Sequence, residues 1–304
     1  MLTKREGVAI KIETTPGVDS LPDPLVDALL VEGLSWANEG LTMHAQGLVT
    51  GFGNQQALYG GHLKAISFSI PIRPSGAAGT TPAEDAVWRA CGLSQTTIAG
   101  TSNTYADAQG GLETVTVAYY EDGVLHKLTH AVGKPSIKVD SLAPGMIEVS
   151  FVGHDSVTDT VFPAFSYDST PPPVVRGVNF VVDGYQAVIG GLSIDLATEV
   201  PSTKNMSSDD GYAGPIIVDR VITCSFDPLA TNAATYDLMQ KLKSGAVFDL
   251  TTGQVGSVAG LRWQINITGL SYTDVSQGER ERRRARSVSC EMSGLTGSFE
   301  IVYS

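Results

Sequence analysis

The residues able to do chemistry are few and scattered. The histidines are His44, His62, His126, His130 and His154. His126 and His130 fall on one face of an expected strand, but an i, i+4 pair on an extended chain lies ~13 Å apart, too far to share a metal. They read as surface or hairpin histidines. Asp209-Asp210-Gly211 opens like a calcium loop but lacks the alternating oxygen ligands and closing Glu of an EF-hand, so it reads as a polar loop tip. Cys91, Cys224 and Cys290 are widely spaced and odd in number. That gives neither a disulfide framework nor a zinc pattern, and assembly in a reducing cytoplasm is the simpler expectation. Asn266-Ile267-Thr268 fits the glycosylation pattern, but the chain opens without an apolar signal segment, so no modification is expected there.

No nucleophile elbow, H-E-x-x-H pair, phosphate-binding loop or dinucleotide fingerprint is found. No nucleophile, base and orienter can be nominated together. The chain is expected not to be an enzyme, and no cofactor or metal is implied.

The one basic cluster is Glu279-Arg-Glu-Arg-Arg-Arg-Ala-Arg286, with Arg280, Arg282, Arg283, Arg284 and Arg286. Such a run can contact phosphate or DNA. It can equally be a solvated strand edge, or pair with acidic groups on a neighbouring subunit. The chain's formal charge of -12 favours pairing between subunits, because an acidic surface with one basic patch suits self-association. The same balance disfavours tight DNA binding, which needs Lys and Arg to displace counterions.

The elements that carry these residues are strands. Ile66, Phe68, Ile70 and Ile72 alternate with smaller or polar residues, as do Val115, Val117 and Tyr119, and Ile147, Val149 and Phe151. Trp263, Ile265 and Ile267 repeat the pattern, and Asp122-Gly123 marks a hairpin turn. Period-2 patterning with turn residues between segments predicts half-buried antiparallel strands. Two short helices interrupt them. One is expected to start at Thr81 as N-cap, with Pro82 first and Glu84 completing a capping box, and to end at Gly92. The other is expected from near Asn232 to Ser244-Gly245. No run approaches the ~20 apolar residues of a membrane span.

With 304 residues, about two domains are expected. Pro171-Pro172-Pro173 favours an extended linker, which splits the chain into 1–168 and 169–304. The two pieces read as one unit repeated. Leu34-Ser35 matches Leu192-Ser193, and Ser67-Phe68 matches Ser225-Phe226, both at an offset of 158. Between these landmarks each half carries a long Gly-rich segment, Ala37 to His62 and Ala197 to Pro215. The first half has an extra polar insert, Ser94 to Gly111. Loops longer than ~12–15 residues inside compact domains are usually functional or disordered. These display Met43, Leu48, Phe52, Leu58 and Tyr59 in the first and Met206 and Tyr212 in the second. Apolar groups on a loop are expected to dock against something.

The chain resembles the major tail tube proteins of long-tailed, non-contractile bacteriophages. The resemblance covers most of the length and is sharpest in the first half. It is carried by Lys4-Arg-Glu-Gly-Val-Ala-Ile-Lys-Ile-Glu-Thr-Thr-Pro-Gly17, Ser35-Trp-Ala-Asn-Glu-Gly-Leu41 and Tyr59-Gly-Gly-His-Leu-Lys64. Trp88-Arg-Ala-Cys-Gly-Leu93 and Asp122-Gly-Val-Leu-His-Lys-Leu128 extend it. The resemblance implies a mainly-β chain of two tandem tail-tube-type β-sandwich modules, each with one short helix and a long loop. It implies rings whose inner strands join around a lumen, stacked through the long loops, through which double-stranded DNA passes without specific binding. With two modules per chain, a homotrimeric pseudo-sixfold ring is expected, with a homohexamer as the alternative. Tape-measure, tail terminator and distal tail proteins are the implied partners, and the virion tail, assembled in the host cytoplasm, is the implied location. A distal tail or baseplate-hub ring protein shares the same sandwich, and a carbohydrate-binding β-sandwich is the reading from another class.

Overall fold

Strands make up 51% of the computed structural model and helix 5%; the structure describes residues 5–46, 55–108, 110–293 and 297–304. The chain is mainly β, as its alternation predicts, with one short helix in each half. The first half runs β1 (Glu6–Ile12), β2 (Ala28–Leu29), β3 (Glu32–His44), β4 (Leu58–Pro71) and α1 (Asp85–Ala90). It continues with β5 (Leu93–Ile98), β6 (Ser102–Asp107), β7 (Val115–Glu121), β8 (Val124–Asp140) and β9 (Met146–Asp159). The second half runs β10 (Val181–Val182), β11 (Tyr185–Gln186), β12 (Gly191–Asp195), β13 (Thr198–Glu199), β14 (Asp219–Arg220) and β15 (Thr223–Phe226). Then come α2 (Leu238–Ser244), β16 (Val247–Thr251), β17 (Trp263–Arg280), β18 (Arg283–Met292) and β19 (Ser298–Tyr303).

Among the described residues the strands pair antiparallel, and two strand pairs join the halves. β3, β4, β9 and β8 lie side by side, then β12, β15, β18 and β17 continue the same sheet. β8 is long enough to serve two neighbours: Val115 to Glu121 pair with its first part, and Gly191 to Asp195 with its last. At that fork β7 leaves with β1. The second crossing joins β6 to β19, with Tyr105 opposite Ile301. The polar insert is therefore the β5–β6 hairpin, which extends the sheet of the other half. Alternate residues of all these branches, from Val8 to Tyr303, close over one hydrophobic core. The Pro171-Pro172-Pro173 run lies in the irregular stretch between β9 and β10.

Both helix starts differ from the sequence expectation. α1 begins at Asp85, and Glu84 makes no side-chain cap bond. Its carboxylate is buried and accepts instead from Arg73 N–H and from the Tyr303 hydroxyl, each at 2.9 Å. A core hydrogen bond to the last strand has taken the group that the capping box would use. Asn232 to Tyr236 closes a turn, and α2 starts only after Asp237, which caps Gln240 N–H at 3.0 Å. Its end is as expected, with Gly245 at φ 61 taking the left-handed position that glycine tolerates.

Candidate functional site

The eight-strand sheet repeats itself. In the first half Ser35 on β3 faces Ser67 on β4, which faces Ser150 on β9. In the second half Ser193 on β12 faces Ser225 on β15, which faces Ser289 on β18. The spatial order β3-β4-β9-β8 is thus matched by β12-β15-β18-β17, with the landmark serines in the same register. The two four-strand units meet edge to edge where β8 pairs β12, and Ser193 faces Lys138 there. Among the described residues the outer edge of β3 has no strand partner, and neither does β17 from Thr273 to Arg280 on the side away from β18.

Alternation gives this sheet two unlike faces. Ile66, Phe68, Ile137, Ile147, Phe151, Leu192, Ile194 and Cys224 enter the core. The opposite face carries the serines; Ser67 Oγ donates to Ser150 Oγ at 2.9 Å. Its acidic groups, Glu39, Asp140, Glu148, Asp195, Asp227, Asp274 and Glu291, outnumber Lys134, Lys138, Arg280 and Arg283. Lys138 is neutralised by Glu148 at 2.6 Å and Arg280 by Asp227 at 3.0 Å.

The basic cluster forms the β17–β18 turn, with Glu281 and Arg282 at positive φ. Arg280 is bound within the chain by Asp227. Arg282, Arg283, Arg284 and Arg286 make no ion pair among the described residues. Of the loop residues, Met43, Leu58 and Tyr59 are exposed on the β3–β4 hairpin, and Met206 is fully exposed. Leu48 and Phe52 lie outside the described residues. Among its described residues the segment Ala37 to His62 is mostly strand, since β3 runs to His44 and β4 begins at Leu58. Tyr212 is placed differently: it is buried against Leu63, Ala65 and Val152, and its hydroxyl donates to Gly40 C=O at 2.5 Å. It therefore fastens the second long loop across the sheet of the first half and is not part of a free apolar surface.

One polar cluster is invisible in sequence spacing. Lys64 is buried, with Nζ 2.9 Å from both Asp155 oxygens and 3.1 Å from His126 Nδ1. Trp36 covers it, its ring 4.8 Å from Lys64 Nζ and 5.5 Å from the His126 ring. Burial, and then the Lys64 charge, hold His126 below the usual histidine pKa. His126 is thus a core residue of the hairpin, not a surface one. A bulge between Thr129 and Val132 sends His130, at φ 53, to the opposite face beside His154. His154 Nδ1 meets Asp210 at 2.9 Å, which ties the Asp209-Asp210-Gly211 tip down. Cys224 and Cys290 are directly opposed on β15 and β18, and all three cysteines are free and buried. Among the described residues no group of three or more His, Cys, Asp or Glu converges as a metal site. No helix among them is long and apolar enough to cross a membrane.

No protein-family model and no curated protein matches the chain. The arrangement on view consists of two like four-strand units, sheet edges without strand partners among the described residues, and an acidic, serine-lined face.

Proposed function

We propose that the chain is a structural subunit that assembles with its own copies into stacked rings, forming the tail tube of a long-tailed, non-contractile bacteriophage. One observation carries the reading. Two like four-strand units are already joined edge to edge through β8 and β12. The chain thus holds two consecutive positions of a larger closed sheet, and three chains give six positions. Ring closure removes the edges that otherwise invite aggregation.

The serine-lined face suits the wall of a conduit. Lys and Arg would hold phosphates by counterion release, and here the acidic groups outnumber them. A calculated potential that is positive along that face in the assembled ring would contradict this assignment. Met43, Leu58, Tyr59 and Met206, exposed on the two long segments, are assigned to contacts between rings. Ordering the long loops on stacking offsets part of that contact energy. Arg282, Arg283, Arg284 and Arg286, which make no ion pair among the described residues, suit an acidic surface on a neighbour.

Electron microscopy of the purified protein tests the reading. Long tubes with three chains per ring are the expected result. Six whole chains per ring would replace the trimer by the hexamer, and single rings that never lengthen would assign a terminal-ring role. Monomers under all assembly conditions would overturn the proposal.

A further inference from the structure

We infer that a second copy of this chain pairs its β3 edge, residues 35–37, with the β17 edge, residues 276–278, in the register that β12 and β8 use within one chain. The inference rests on the ring reading above and specifies its contact.

The register follows from the repeat. Gly33-Leu34-Ser35 and Gly191-Leu192-Ser193 are identical triplets, each opening the first strand of its unit. Ser150 and Ser289 are equivalent, because they face the equivalent residues Ser67 and Ser225. Four residues earlier on each strand stand Met146 and Ala285, which face Lys138 on β8 and Gly278 on β17. Lys138 and Gly278 are therefore equivalent positions. Since Ser193 faces Lys138, Ser35 of one copy faces Gly278 of the next. The same step places Ala37 opposite Ser276; β3 bulges between Glu32 and Ser35, with Gly33 at φ 64, so the register is carried from Ser35 onward.

Three features of the single chain fit this partner. Both edges are uncovered among the described residues, and exposed edges of this length are templates for pairing. The inward residues at the internal seam, Leu192 and Ile194, are 2% and 0% exposed, whereas their equivalents Leu34 and Trp36 are only partly covered, Trp36 at 46% exposure. Gly278 also offers room: a Cβ there meets nothing nearer than 3.6 Å. Charge agrees as well, because Glu32, next to Gly33, is brought beside the turn that carries Arg282 and Arg283.

Oxidative cross-linking of Ser35→Cys combined with Gly278→Cys tests the contact, with electron micrographs of the same samples. The internal pair Ser193→Cys with Lys138→Cys is the geometric control, since the structure sets those positions opposite each other. The expected result is an internal link in the control and covalent multimers of the chain in the test pair. Rings or tubes in which the control links and the test pair does not would overturn the seam while leaving the ring reading intact. An absence of any assembly would overturn both. Wild-type protein gives a second readout: Trp36 is exposed while Trp88 and Trp263 are fully buried, so iodide quenching of tryptophan emission should fall severalfold on assembly. Unchanged quenching in verified rings would refute the seam.

Discussion

The Tyr303 hydroxyl donates to Glu84 Oε1 at 2.9 Å and accepts from Trp88 Nε1 at the same distance, which binds the last strand to the first helix. Glu84 is buried, and burial pushes its pKa up to about 7, against the pull of the Arg73 N–H and the Tyr303 hydroxyl. The sign of the linkage follows. An unfolded Glu84 releases its proton near 4.5, the folded one near 7, so between these values the folded state holds more protons. Stability from this group is fully present at low pH and falls as pH rises from about 4.5 to about 7. The fall is roughly 3 kcal/mol. Glu84→Gln keeps an acceptor for Arg73 and Tyr303 and removes the titration. Urea unfolding at pH 5 and pH 8 should show the wild type losing stability relative to this variant at the higher pH. A constant difference across that range would contradict the buried-carboxylate account.

Tyr212 makes a separable prediction about the second long loop. Tyr212→Phe keeps the contact with Leu63, Ala65 and Val152 but loses the hydroxyl bonds to Gly40 and Thr42. A loss of about 1 kcal/mol is expected from that bond. Tyr212→Ala also empties the small cluster and should cost roughly 3 kcal/mol. Hydrogen exchange between residues 200 and 215 should rise in both variants, and more in the second. Equal exchange in all three proteins would show that Tyr212 does not fasten the loop.

Lys64 and His126 test the polar cluster. With Lys64 beside it, the imidazolium form of His126 is disfavoured by burial and by a like charge. Lys64→Met removes the charge and leaves Asp155 and Glu121 facing the ring. The His126 pKa should therefore rise in the variant, as read by NMR titration of its ring protons. Destabilisation is expected as well, since Asp155 loses its buried partner. An unmoved titration would mean that burial alone sets the His126 pKa.

The local features of this fold were legible and the long-range ones were not. Alternation located the strands around Ile66, Val115, Ile147 and Ile265, because a strand's period is written in its own residues. The Leu-Ser and Ser-Phe landmarks point to the repeat, and the structure holds those serines in matching register. Neither the β8–β12 nor the β6–β19 pairing could be read, since nothing in Ser136 or Tyr105 marks a partner dozens to hundreds of residues away. Glu84 failed as a capping residue for the same reason: its competing partner Tyr303 lies at the far end of the chain. Lys64, His126 and Asp155 converge from three strands, and their spacing in sequence carries no signal of it.

The β3–β4 hairpin supplies the prediction closest to assembly. Met43 pairs with Tyr59 across it, so removing residues 44–56 leaves Ala57 and Leu58 as a two-residue connection between directly opposed positions. That is the loop length antiparallel strands accept most readily, and Asn-Gly in those two places would supply the positive φ values such a turn requires. The pairing of Ser35 with Ser67 and the core beneath Ile66 lie well below the cut. The shortened protein should therefore keep its far-UV spectrum and unfold cooperatively. Residues 44–56 are gone and Leu58 is drawn into the turn, so stacking contacts between rings that use this loop are lost while the edges that close a ring remain. Single rings without tubes are the expected image by electron microscopy. Tubes of normal length from this variant would show that stacking does not use the β3–β4 tip.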